Sequence, residues 1–144
     1  MTVKRIVLLN QMAGPLFRET AEGLAPYLND GCLLLTGHPD TVALTDSTVP
    51  GLVIKKAPGY NRRTLVRRFI SWISYLLVSS RYILGAKESD AFLIVSNPPM
   101  MGAWFCLLNM FRRLPYAVLV YDIHPDALVS MGMLRESGLI VLLW

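Results

Sequence analysis

The chain has 144 residues, 53% of them apolar and 17% charged, with a formal net charge of +4 and a mean hydropathy of +0.44. That length suits one domain with a real core, and the composition describes a chain that hides many faces or meets lipid. It excludes a spanning helix, since no window supplies the ~20 uninterrupted apolar residues required, and a disulfide or zinc framework, since Cys32 and Cys106 lie far apart without CxxC spacing or nearby histidines.

Two unpaired thiols make a reduced, cytoplasmic setting the default. The opening MTVKRIVLLN is too short in its apolar part for a secretory leader and reads instead as a first strand, Val3 to Leu9. The loop QMAGP follows. Leu16 to Leu28 then spaces Phe17, Ala21, Leu24, Ala25 and Leu28 as a helix would, with Arg18 and Glu22 paired four residues apart and Pro26 expected to kink the helix or end it early. Cys32 to Thr36 is a second buried strand, GHPDTVALTDSTVPG a loop, and Leu52 to Lys56 a third strand.

Arg62 to Ala86 is predicted as a long helix. At 3.6 residues per turn, Val66, Phe69, Ile73, Leu76, Leu77, Ile83 and Leu84 share a stripe expected to face the core, with Arg67, Ser71, Ser74 and Arg81 opposite. A third strip holds Arg68, Trp72, Tyr75, Ser79 and Tyr82. Amphipathic aromatics beside arginines have two readings: they complete the core, or they sit at a membrane surface. Arg62, Arg63, Arg67, Arg68 and Arg81 on one helix, with Lys55 and Lys56 just before it, imply an anionic partner more than the net charge does.

Ala91 to Val95 is a fourth buried strand, Met100 to Phe111 a helix apolar nearly all round, and Tyr116 to Tyr121 a fifth buried strand. Ala127 to Leu134 and Gly138 to Trp144 read as helices. The alternation of strand and helix predicts an α/β fold, a doubly wound, Rossmann-like parallel sheet. In such sheets ligands bind outside the carboxyl ends of strands, so three loops hold the candidate residues. Gly14 precedes a helix whose N-terminus can face a phosphate, although one glycine is also ordinary turn chemistry. Ser96 and Asn97, before Pro98 and Pro99, are expected to cap the next helix and also to line the crevice. Asp122 follows the fifth strand with His124 and Asp126 close by; a carboxylate there can act as general base or hold a sugar, and Asp126 can equally cap a helix. Asp122 and His124 could hold a metal only with further ligands that the sequence does not identify, so no metal site is expected.

These residues carry a resemblance. The opening IVLLNQMAGPLFRETAEGLA, the basic helix, the strand and turn DAFLIVSNPPMMG, and LPYAVLVYDIHPDALVSMGML together resemble the N-terminal half of GT-B glycosyltransferases of family 4. The branch most similar builds bacterial surface polysaccharides by adding amino-deoxysugars, such as N-acetylfucosamine, to lipid-linked acceptors. The resemblance implies a Rossmann-like half that receives the acceptor and faces a second half holding the nucleotide-sugar, with no metal or other cofactor. Many members end the fifth strand with a His-Asp pair; here the pair is Tyr121-Asp122, so the catalytic expectation falls on Asp122. Gly14 would lie near the donor diphosphate, and Ser96, Asn97, His124 and Asp126 would contact substrate.

The second Rossmann half, with its paired-glutamate donor motif, has no counterpart in these residues. The chain by itself is therefore expected to be inactive, either as a truncated or split form or as the acceptor half of a two-chain enzyme with a separate donor-binding half. The resemblance also assigns the basic helix to docking on the inner, cytoplasmic face of the plasma membrane, through Arg63, Arg67, Arg68, Trp72, Tyr75 and Tyr82. The competing reading is a membrane-docked scaffold without catalysis. Nucleic acid is not an expected partner, because the aromatics lie beside an apolar stripe and not on an exposed sheet platform.

Overall fold

A computed structural model describes residues 2–43 and 49–121. Short apolar runs form five parallel strands: β1 (Arg5–Leu9), β2 (Cys32–Thr36), β3 (Leu52–Lys56), β4 (Asp90–Val95) and β5 (Tyr116–Leu119). They form one sheet in the order β3-β2-β1-β4-β5. The order reverses direction after β1, which places a topological switch between β1 and β4. The fold is thus α/β and Rossmann-like, as the alternation of elements predicts.

Side chains alternate across the pleat and fill two core layers. Val7, Leu9, Leu35, Phe92 and Ile94 point toward α3 (Leu65–Leu84) and α4 (Met101–Arg112). Leu8, Leu34, Leu52, Ile54 and Val95 point the other way, toward Phe17 and Ala21 of α1 (Pro15–Leu24). Arg18 and Glu22 pair across 3.0 Å on α1, and Pro26 sits in a 3-10 turn, Ala25–Tyr27, that ends the helix earlier than its apolar spacing extends. The four-residue helix α2 (Pro39–Val42) falls inside the segment expected to be loop; four residues carry too little periodicity to announce a helix. Before β2, Gly31 has φ +67° and would place a Cβ 1.9 Å from the Gly51 carbonyl oxygen. Neither the dihedral nor the space admits a side chain.

Three expectations are overturned. The stripe on α3 expected to face the core lies largely outside: Val66, Phe69, Ile73, Leu77 and Leu84 are exposed, and only Leu76 and Ile83 are buried. The face toward the sheet carries Ser71, Tyr75 and Ser79 instead. Burying these hydroxyls leaves none unsatisfied, since Ser71 and Ser79 donate back to the carbonyls of Arg68 (2.7 Å) and Leu76 (2.8 Å) and Tyr75 reaches the Leu35 carbonyl at 2.9 Å. Second, β5 is exposed at all four positions; it is an edge strand, with Phe105 and Tyr116 packed ring to ring at 5.0 Å beneath α4. Third, α4 begins at Met101 with Met100 at its N-cap and no side-chain cap. Ser96 and Asn97 do not cap it, because the Pro98-Pro99 turn comes between and the Pro98 carbonyl takes the Met101 N–H at 2.9 Å. The segments predicted as helices at 127–134 and 138–144 lie outside the described residues.

Cys32 is buried at the start of β2 and Cys106 is exposed on α4. Burial pushes the Cys32 thiol up from 9.0 to about 11, against a smaller opposing effect of its backbone hydrogen bond with Ile6. Its contribution to stability is therefore complete below pH 9.0 and lost as the pH rises toward about 11. A thiol-reactive dye at neutral pH is expected to label Cys106 in the native protein and Cys32 only in denaturant. Equal labelling rates would show that β2 is not packed as described.

Candidate functional site

All five strands are parallel, so the loops leaving β1, β2, β3 and β4 emerge at one edge. They meet on Gln11, whose side chain is fully buried. Its Nε2 donates to the carbonyls of Pro58 (3.1 Å) in the β3–α3 loop and Ser71 (3.0 Å) on α3. Its main-chain N–H donates to the Asn97 carbonyl (3.3 Å) and its carbonyl accepts from the Gly37 N–H (2.9 Å). One residue thus ties four loops to α3. The Gln11 Oε1 has no hydrogen-bond partner among the described residues.

The loop after β2 packs beneath this hub. Thr36 Oγ1 accepts from the N–H groups of Ala13 (3.2 Å) and His38 (3.1 Å), and Thr41 Oγ1 donates to the Ala13 carbonyl at 2.5 Å. Gly37 and Gly59 touch backbone to backbone: a Cβ on Gly37 would lie 2.5 Å from the Gly59 Cα. Gly14 is the N-cap of α1 and makes no side-chain cap. The first α1 N–H bonded to it is that of Arg18, at 3.0 Å from the Gly14 carbonyl; the N–H groups of Leu16 and Phe17 are the orphan donors of the first turn. A Cβ built on Gly14 would lie 4.0 Å from His38 Nε2, so the imidazole flanks the start of α1. His38 Nδ1 is buried without a hydrogen-bond partner among the described residues.

On the far side of the switch, Ser96 N–H donates to the Leu119 carbonyl (3.1 Å) and Ser96 Oγ accepts the Tyr121 N–H (3.1 Å). Ser96 therefore fixes the end of β5. The Asn97–Pro98 peptide is cis, and the Asn97 carbonyl is engaged by Gln11. The site thus brings Gly14, His38, Gln11, Ser96 and Asn97 to one edge. Asp122, His124 and Asp126 lie outside the described residues, immediately beyond the anchored Tyr121.

The residues expected to meet a membrane separate into two groups. Arg63 and Arg67 are exposed. Tyr75 is entirely enclosed between α3 and the sheet, with 0% exposure, and this removes it from any lipid-facing set. Tyr82 is half-buried against the core. Trp72 stacks parallel on Tyr60 with ring centroids 6.2 Å apart, and Arg68 and Arg62 lie over the same Tyr60 ring at 5.9 and 5.6 Å. This cluster braces the β3–α3 loop against α3. Trp72 Nε1 and Arg68 Nε are buried without hydrogen-bond partners among the described residues, and the two residues border an open groove of about 480 Å³ with Leu65, Val66, Phe69 and Ile70.

Gln11 and His38 were not legible as site residues. A glutamine after a strand carries no periodic signal, and its hydrogen-bond partners span residues 36 to 97. His38 offered only its position after β2, in a segment read as loop. No helix among the described residues is long and apolar enough to cross a membrane.

No family model matches the chain, and no curated protein matches it. Among solved structures, the C-terminal domain (residues 78–226) of PF1911 hydrogenase from Pyrococcus furiosus is similar, with a TM-score of 0.57 and 15% identity over 82% of this chain and 92% of that one. A second structure of that domain (residues 83–215) gives a TM-score of 0.56 and 12% identity over 83% of this chain and 95% of that one. At such identities the likeness concerns the α/β fold alone.

Proposed function

We propose that this chain is the acceptor-side domain of a nucleotide-sugar-dependent glycosyltransferase that acts on a lipid-linked acceptor in bacterial surface polysaccharide synthesis. The observation carrying this reading is that a ligand edge and a membrane-suited helix share one end of the molecule. A helix that follows a parallel strand begins at that strand's carboxyl end, so the first turns of α3 stand beside the loops gathered on Gln11. There Leu65 is 78% and Val66 69% exposed, next to the exposed Arg62, Arg63 and Arg67. A lipid-anchored sugar at the inner face of the plasma membrane would reach the crevice from this side.

Within this reading the orphan N–H groups at the start of α1, with His38 beside them, suit the phosphate groups of a donor or acceptor. Ser96 and Asn97 form the opposite wall, and Asp122 supplies the base. The donor nucleotide-sugar belongs to a donor-binding half, and catalysis requires both halves. The exposed face of α3 also supports a second reading, a membrane-docked module without sugar chemistry.

Binding in nanodiscs tests the proposal. The purified chain is expected to retain a polyprenyl-diphosphate-linked sugar over the same nanodiscs without it, and to show no matching affinity for free UDP-sugars. Equal binding to loaded and empty nanodiscs would favour the module without sugar chemistry.

A further inference from the structure

The two edges of the sheet are built differently. β3, at one end of the strand order, closes with the exposed Lys55 and Lys56, and lysines are a common guard on an unpaired edge. β5, at the other end, reads YAVLVY over residues 116–121, without a charge, a proline or a glycine. Its main chain shows what this edge offers. The carbonyls of Pro115 and Leu119 accept from the N–H groups of Phe92 (3.0 Å) and Ser96 (3.1 Å), and the Tyr121 N–H also turns inward, to Ser96 Oγ. Main-chain groups alternate in direction along a strand, so those of Tyr116, Val118 and Val120 point outward, and none has a main-chain partner among the described residues. Tyr116 packs on Phe105 of α4 and Val118 stands against Gly102, which puts the side chains of this alternate set on the α4 side of the sheet. Tyr116, Val118 and Val120 are 47%, 42% and 58% exposed.

From this we infer that β5 pairs antiparallel with β5 of a second copy of the chain, joining two sheets into one around a two-fold axis normal to them. The edge is self-complementary in a register that uses every outward group. With Val118 opposite its own counterpart, Tyr116 faces Val120 of the second copy, and each outward residue exchanges both of its main-chain bonds across the axis. Aromatic and β-branched side chains then meet on one face, as cross-strand pairs favour. Charge selects the same orientation. Arg112 and Arg113 precede the strand and Asp122 follows Tyr121 in the sequence, so antiparallel pairing sets the basic start of each strand toward the acidic end of the other, whereas parallel pairing sets like beside like. Met110, one turn beyond the Cys106 that touches Tyr116, is 71% exposed over this edge and adds apolar area to the contact. The inference goes beyond the reading above and needs none of its sugar chemistry. Because the axis is normal to the sheet, α3 and α4 of both copies lie on one side of the pair.

Sedimentation equilibrium combined with amide hydrogen exchange, both on the purified chain, tests the inference. Monomer and dimer should interconvert with concentration. In the dimer the amides of Val118 and Val120 should exchange at least about tenfold more slowly than in dilute solution, while those of Ala117 and Leu119, which face β4, should be protected at every concentration. Val118→Lys should weaken association about tenfold, by setting like charges opposite each other at the axis. Val120→Pro should weaken it about thirtyfold, because each copy loses an outward donor. Both positions are exposed and neither N–H serves β4, so thermal unfolding of the monomer should be unchanged. A chain that stays monomeric at its highest soluble concentration, with both outward amides unprotected, would overturn the inference. So would a dimer indifferent to both substitutions, which would place the contact elsewhere. Protection of the outward amides in a monomer would also overturn it and would assign the edge to residues 122–144 of the same chain. These measurements contain no lipid, so their failure leaves the acceptor reading to its own nanodisc test.

Discussion

Arg5→Met is expected to destabilise the domain by about 3–5 kcal/mol, the usual cost of leaving a buried charge without its partner. Asp90 is completely buried at the amino end of β4, directly opposite Arg5 in the parallel register. Arg5 Nε donates to Asp90 Oδ1 at 3.0 Å and the terminal nitrogen to Oδ2 at 2.5 Å. Lys87 N–H also donates to Oδ2, at 2.8 Å. Without the guanidinium, the carboxylate keeps one hydrogen-bond donor among the described residues. Methionine preserves much of the packing volume, so the loss isolates charge from shape.

The double variant Arg5→Met, Asp90→Asn tests the cause. An amide oxygen still accepts the Lys87 N–H and carries no charge, so most of the lost stability should return. Urea unfolding of the two single variants and the double variant gives the coupling. A double variant no more stable than Arg5→Met would mean that the cost lay in packing around Arg5. This pair lies at the opposite end of the sheet from the candidate site, so neither change should alter nanodisc binding by the folded protein.

The fold was largely legible because strands buried on both faces are apolar runs bounded by turn residues. β2 and β3 have the predicted limits, and β4 begins one residue earlier. What periodicity could not supply was the identity of the buried face on α3. Hydropathy assigns leucine, valine and phenylalanine inward and serine outward, but small serines let a helix approach a sheet closely while their hydroxyls bond to the preceding turn. Ser80 does the same toward the neighbouring helix: it donates to the Leu76 carbonyl at 2.7 Å and accepts the Trp104 indole N–H at 2.9 Å, joining α3 to α4. The site divides similarly. Gly14, Ser96 and Asn97 were visible from strand ends alone, whereas Gln11 acts through partners distant in sequence. The role of Ser96 also changed, from helix cap to anchor of Tyr121, because the two prolines delay the start of α4.

On the proposed function, Asp122→Asn is expected to reduce sugar transfer by about 10²–10⁴-fold, the range over which a general base contributes. The assay requires the chain joined to a donor-binding half, with label followed from nucleotide-sugar into the lipid-linked acceptor. Asparagine keeps the size and one hydrogen-bonding oxygen of aspartate but cannot take the proton of an attacking hydroxyl. The acceptor should therefore still bind in nanodiscs while turnover falls, which separates chemistry from affinity. Asp122 is next to Tyr121, whose N–H is held by Ser96 Oγ at 3.1 Å. Ser96→Ala should then lower turnover less than Asp122→Asn does, because it loosens the chain before the base without removing the carboxylate. His124→Gln and Asp126→Asn, assigned to substrate contact, should raise the acceptor concentration needed for half-maximal rate more than they lower the maximal rate. If Asp122→Asn transfers sugar at the wild-type rate, the proton goes elsewhere, and His38, beside the start of α1, becomes the next group to replace.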